Sequence, residues 1–188
     1  GDVVCFLDDD VSLAPSFLAH AWRQLSRPDM ADVGGLAGYD VLNYPRPVTW
    51  RWKLRRWLGS VPSLRPGDAD HLGRAVPLSI ALPDCGSITV GWLSGYCMIY
   101  RREALAGLSF DEGLPTYGGE GRDFSMLVGA RWRLVLCADL KLSHHYAPAS
   151  RTVGAARVRE TVFGMGRSFA KRARGPVDYF TLARWLAA

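Results

Sequence analysis

The run Val3-Val4-Cys5-Phe6-Leu7, broken at once by Asp8-Asp9-Asp10, constrains this chain more than any other feature. Five apolar residues in a row, without polar alternation, predict a strand from a sheet covered on both faces, with the carboxylates at its C-terminal end. A helix should follow soon. Pro15 suits its first turn, and Phe17, Leu18, Ala21, Trp22 and Leu25 recur at helical spacing until Arg27-Pro28 closes it. The fold class predicted from this start is α/β.

Further along, residues 33–44 are rich in glycine and β-formers and predict a strand. Residues from about 45 to 85 carry scattered Pro and Gly with weak periodicity and read as a variable insertion. Short strands are predicted at 87–90 and 96–100, a brief helix at 102–106 and a loop at 110–119. Helical spacing returns at Phe124, Leu127 and Val128, and residues 133–137 and 140–144 read as two more strands. A basic helix with an apolar face is expected over 153–173. The economical organisation is one α/β domain over 1–150 and a basic helical tail over 151–188, with no internal repeat.

Composition narrows the classes. With 188 residues, 48% hydrophobic and 22% charged, the chain is neither disordered nor fibrous, and no stretch approaches the roughly 20 apolar residues of a spanning helix. It opens at Gly1-Asp2, without initiator Met, basic n-region or cleavage pattern, as expected of a chain cut at a strand. Cys5, Cys85, Cys97 and Cys137 match no zinc or redox spacing and read as buried free thiols of a reducing compartment. The net charge of +5 resolves into two basic segments, Trp50–Trp57 and 151–174, that sum to +10, around a remainder of −5. Twenty of the 23 cations are Arg, which suits phosphate and carboxylate, though a GC-rich genome gives the same bias.

Four constellations can carry chemistry. Three adjacent carboxylates repel, each close pair by about 4 kcal/mol at 4 Å and an effective dielectric near 20, and a divalent cation relieves this well. Mg²⁺ or Mn²⁺ held by Asp8 and Asp10 is one reading, and hydrated acids capping the next helix the other. The block from Gly91 to Glu103 offers Gly95 for close backbone approach and Trp92 as a flat face of the kind that stacks on sugars, or is simply a packed strand. Glu120 and Asp123 lie three apart at a helix start, as a general base or as complements to the helix dipole. His144-His145 ends a strand, where a His is either structural or a metal ligand.

Together, in this order, these elements resemble the family 2 glycosyltransferases of the GT-A fold: a strand ending in Asp-x-Asp, the Ser-Gly-x-x-Met-x-Tyr-Arg-Arg-Glu block, Phe110-Asp111-Glu112, the acidic helix start and the terminal His. The resemblance covers roughly residues 1–151. It implies that Asp8 and Asp10 hold a divalent metal (Mn²⁺ or Mg²⁺) on the donor diphosphate. His144 is then a further metal ligand, with His145 as its alternative. Asp9, Trp92, Gly95 and Arg102 fall to donor or acceptor binding, and Glu120 or Asp123 to the base. The implied reaction is inverting transfer from a nucleotide-sugar donor to a hydroxyl of a glycan or lipid-linked acceptor, in surface polysaccharide or glycolipid synthesis.

Two departures are expected to matter. The family's base follows the Glu of Glu-Asp-x-Asp, and here that position is Gly121. Family members also carry upstream strands for the nucleotide base that this chain lacks, so a catalytically impaired module binding sugar or a partner is the alternative. A metal-dependent phosphohydrolase would leave the Gly95 to Glu103 block unexplained. The basic, Trp-rich segment Trp50–Trp57 and the Arg-rich 151–174 suggest peripheral contact with anionic lipid, hence a cytoplasmic location at the inner face of the membrane. Nucleic acid could use similar chemistry but is the weaker partner.

Overall fold

The computed structural model describes residues 1–62, 65–80, 86–115, 119–146 and 154–186. Six strands form one mixed sheet: β1 (Val3–Leu7), β2 (Val11–Leu13), β3 (Val33–Asp40), β4 (Ser87–Val90), β5 (Cys97–Arg101) and β6 (Arg133–His144). The order is β1-β5-β3-β6-β2, and β4 pairs with the first half of β6. Only β3 and β6 run parallel. The helices are α1 (Phe17–Leu25), α2 (Trp50–Trp57), α3 (Glu120–Gly129), α4 (Gly154–Ala170) and α5 (Pro176–Leu186).

The sheet carries a core on each face, which is why its inner strands lack polar alternation. Cys97 and Ile99 of β5 and Val135 and Cys137 of β6 face Phe17, Ala21 and Leu25 of α1. Their neighbours Met98, Tyr100, Leu134 and Leu136 face Phe124 and Val128 of α3. Arg101 closes the end of β5 away from the aspartates, donating to the carbonyls of Val33 (2.8 Å), Met30 (3.2 Å) and Leu25.

β1 is an edge strand and half-buried, not the covered strand that its composition predicts. A run of apolar residues fixes a strand but does not distinguish centre from edge. The chain also returns as β2 before α1, and β2 lies on the opposite edge. Four edge-to-edge spacings would total about 19 Å in a flat sheet, whereas the link from Leu7 to Val11 reaches at most about 15 Å. The sheet therefore curls, and the three aspartates sit where it comes closest to closing.

Other expectations shift in detail. The strands expected at 133–137 and 140–144 are one strand with a register irregularity against β3 between Gly38 and Tyr39. The insertion contains α2. The tail helix, expected over 153–173, spans Gly154–Ala170, and Pro176 opens α5, which the pattern did not reveal. Cys85, Tyr117 and Arg151, and the domain boundary expected at 150, lie outside the described residues.

Cations of the tail turn inward. Arg167 makes a bidentate pair with Asp111 (2.7 Å to each oxygen), Arg172 reaches Asp123 at 2.6 Å, and Lys171 bridges Asp123 (2.8 Å) and Asp111. Three of the seven basic residues in 151–174 thus pair with Asp111 and Asp123 and tie the tail to the domain.

Candidate metal centre and base

The turn after β1 is fixed at both ends by the sheet. Asp8 donates its N–H to Tyr96 carbonyl oxygen (3.1 Å), continuing the β1–β5 ladder, and Asp10 carbonyl accepts from His145 N–H (2.9 Å), continuing β2–β6. Val11 stands opposite His144 in that ladder. The register therefore brings the first and third aspartates to the end of β6.

The outcome is a compact donor set. One ligand atom from each of Asp8, Asp10 and His144 lies within 4.8 Å of the others, and His144 Nε2 is 3.1 Å from Asp10 Oδ1. Asp8 is exposed, Asp10 half-buried and His144 buried, so the group is open on one side and anchored on the other. An octahedral ion at about 2.1 Å keeps its ligands roughly 3.0–4.2 Å apart, so these three side chains need only draw together slightly to share one. Two carboxylates and an imidazole could hold a metal ion.

Strand alternation decides between the two histidines. His144 turns toward Asp10, and His145 turns outward, its Nε2 3.0 Å from Ser12 Oγ. The His144 ring lies between Tyr96 (centroids 4.5 Å apart) and Tyr146 (4.0 Å). Its backbone is gripped from β3: buried Asp40 accepts the His144 N–H at 3.3 Å, and Asn43 Nδ2 donates to its carbonyl at 2.9 Å and to Asp40 at 2.7 Å. His144 Nδ1 is sealed from solvent without a hydrogen-bond partner among the described residues, so the ring is held by Asp10 at Nε2 and by the two tilted tyrosine rings.

Compared with known proteins, the chain matches no family model and no curated protein.

Glu120 opens α3 beside this group. Burial pushes its carboxyl above the usual Glu range, and the charge of Asp8 adds to the rise. The N–H groups of Glu120 and Gly119 and the guanidinium of Arg122 oppose the rise without cancelling it. Glu120 Oε2 is shut off from solvent and accepts no hydrogen bond among the described residues. A carboxylate whose proton affinity is raised in this way can serve as a general base. Gly119, the N-cap, takes φ 84°, a left-handed conformation that favours glycine and lets the chain enter α3 at this angle.

Gly121 fills the position that the Glu-Asp-x-Asp pattern gives to an Asp. A Cβ there would come within 2.7 Å of Gly95 Cα, so the two glycines let α3 and the segment before β5 touch backbone to backbone. Asp123 is almost fully buried and committed to Lys171, Arg172 and Ser168 Oγ (3.4 Å). Its burial works to raise its pKa, but the two cations outweigh that and hold it below the usual Asp range. Of the two expected bases, only Glu120 is left with an oxygen unengaged.

The remaining expected site residues separate. Asp9 is exposed at the tip of the turn. Trp92 is half-buried against the α3-side core, its indole N–H donating to Val76 carbonyl at 3.2 Å. Arg102 lies at the wrong end of the sheet: Arg101 pairs with Val3, whereas Leu7, next to Asp8, pairs with Cys97. Five residues of strand, about 16 Å, thus separate Arg102 from the aspartates, and its guanidinium binds Gly1 carbonyl. Tyr96, Tyr146, Asp40 and Asn43 escaped the sequence reading. Only Tyr96, beside Gly95, lay in a block already singled out.

Proposed function

We propose that the protein is a metal-dependent glycosyltransferase of the GT-A type, in which Asp8, Asp10 and His144 hold a divalent cation and Glu120 is the base. The observation that carries this reading is the convergence, at one end of one sheet, of a two-carboxylate, one-imidazole donor set with a half-buried carboxylate, Glu120, whose proton affinity burial raises. The oxygen-rich set favours Mn²⁺ or Mg²⁺, and its imidazole tilts the choice toward Mn²⁺. Bound there, the cation supplies charge stabilisation for a departing diphosphate.

The chain's own residues do the rest. Glu120 takes the proton of the acceptor hydroxyl as its oxygen attacks the anomeric carbon and the bond to the nucleoside diphosphate breaks. Gly95 and Gly121 let α3 pack backbone to backbone against the segment before β5, which seats Glu120 at the edge of the centre, and Asp9, exposed on the turn between Asp8 and Asp10, is assigned to the sugar hydroxyls. Nucleotide sugar is the donor, and a glycan or lipid-linked hydroxyl the acceptor.

A panel of nucleotide sugars supplied with Mn²⁺ tests this by release of nucleoside diphosphate that depends on added acceptor. Asp10→Ala should abolish release; full activity in that variant would refute the assignment. The glycine at 121 favours a second reading, a module that binds donor without turnover, which predicts Mn²⁺-dependent donor binding and no transfer with any acceptor.

A further inference from the structure

α2 is a helix without a core. None of its eight residues is buried, and Trp50 and Trp57 are 68% and 79% exposed. At 100° per residue Trp57, Trp50, Leu54 and Leu58 fall in one arc of roughly 100°, bordered by Lys53 on one side and by Arg51 and Arg55 on the other. The helix carries four cations and no acid. Thr49 caps it, accepting the Trp52 N–H at 3.2 Å, and Arg56 lies over the Trp52 ring, 5.4 Å from its centroid. An amphipathic helix usually buries its apolar face in its own domain. This one turns it outward.

α5 extends that face. Val177 and Phe180 are 78% and 67% exposed, and Arg184 follows them at i+7 and i+4, on the same side of the helix. The Arg184 guanidinium donates to Leu58 carbonyl at the end of α2, and Arg74 donates to the adjoining Gly59 carbonyl at 3.2 Å. The C-terminal turn of α5 and the end of α2 therefore meet at Leu58.

We infer that α2 and α5 form a docking surface for an anionic lipid bilayer. Rings at headgroup depth, aliphatic side chains continuous with them, and cations along both borders are what such a surface requires. Aromatic rings and cations also suit single-stranded nucleic acid, but Leu54, Leu58 and Val177 have no place in base stacking. A protein partner would need a matching acidic rim, whereas the lipid headgroup layer supplies one directly. No helix among the described residues is long and apolar enough to cross a membrane. This inference is independent of the metal centre.

Flotation of the full chain with phosphatidylcholine vesicles, with and without about one third phosphatidylglycerol, tests it. The chain should float with the anionic vesicles and be released by salt of about 0.5 M. Arg51→Glu with Arg55→Glu should weaken partitioning at least tenfold, since each cation is worth about fivefold. Trp50→Ala with Trp57→Ala should do the same, and Val177→Ser with Phe180→Ser repeats the test on α5. All six side chains are exposed, so unchanged thermal midpoints will show the variants folded. No binding to anionic vesicles, equal binding to neutral ones, or binding that these substitutions leave intact overturns the inference. Capture of a single-stranded oligonucleotide in place of vesicles overturns it too.

Discussion

A glycine at 121 leaves α3 in backbone contact with Gly95, and the proposed chemistry therefore assigns proton transfer to the residue before it. Glu120→Gln keeps the shape of the side chain and removes the basic oxygen. It should cut transfer by about 10²- to 10⁴-fold while leaving Mn²⁺ affinity nearly unchanged. A variant that loses metal and activity together would make Glu120 a ligand and not the base. Gly121→Asp, which writes Glu-Asp-x-Asp at this helix start, should not raise activity. The 2.7 Å approach to Gly95 Cα forces the segment before β5 away, and expected overpacking of about 1–3 kcal/mol would appear as a lower thermal midpoint. Spacing leaves Glu120 and Asp123 as alternatives, since both start one helix; the ion pairs with Lys171 and Arg172 are what engage Asp123.

The ionic latch that consumes it operates between elements. Asp111 and Asp123 are both held below the ordinary Asp range, Asp111 by Arg167 and Lys171, and Asp123 by Lys171 and Arg172 against the opposing effect of its burial. Carboxylates with depressed folded-state pKa values stabilise the protein fully above the unfolded value, about 3.9, and lose that contribution as pH falls toward the folded value. The thermal midpoint should therefore drop steeply below about pH 4, and Asp123→Asn should flatten that drop. At neutral pH the same substitution leaves Lys171 and Arg172 facing a neutral amide and should destabilise by about 3 kcal/mol. An unchanged midpoint at pH 7 would show that α4 docks without the latch.

At this scale much of the architecture was legible. Val3–Leu7, Ser87–Val90 and the two pairing segments of β6 announce themselves by short runs of apolar and β-branched residues. β2 did not, since three residues between aspartates and a proline carry no periodicity. Nor did α5, whose exposed apolar residues obscure the helical face. Of the candidate centre, Asp8, Asp10 and Glu120 were readable from local context, and His144 only as one of two. The choice between the histidines, the tyrosine rings on either side of His144 and the distance of Arg102 from the aspartates depend on strand register, which only the folded sheet fixes.

For the whole molecule, the charge pattern has a different meaning from a count of cations. The tail spends much of its charge on Asp111 and Asp123, whereas α2 keeps its four cations at the surface beside exposed rings. A cation bound at the curled end of the sheet would also tie β1, β2 and β6 together through Asp8, Asp10 and His144. Mn²⁺ at about 100 times its dissociation constant should add about 2.7 kcal/mol to stability and raise the thermal midpoint by several degrees, and His144→Ala should remove the rise.

The most direct test is titration of the chain with Mn²⁺, followed by the paramagnetic resonance signal of the free ion. One saturable site is predicted, lost in Asp10→Ala and weakened at least tenfold in His144→Ala, with His145→Ala binding as tightly as the unaltered chain. Absence of saturable binding, or binding that Asp10→Ala and His144→Ala leave untouched, would contradict the centre on which the proposed chemistry rests.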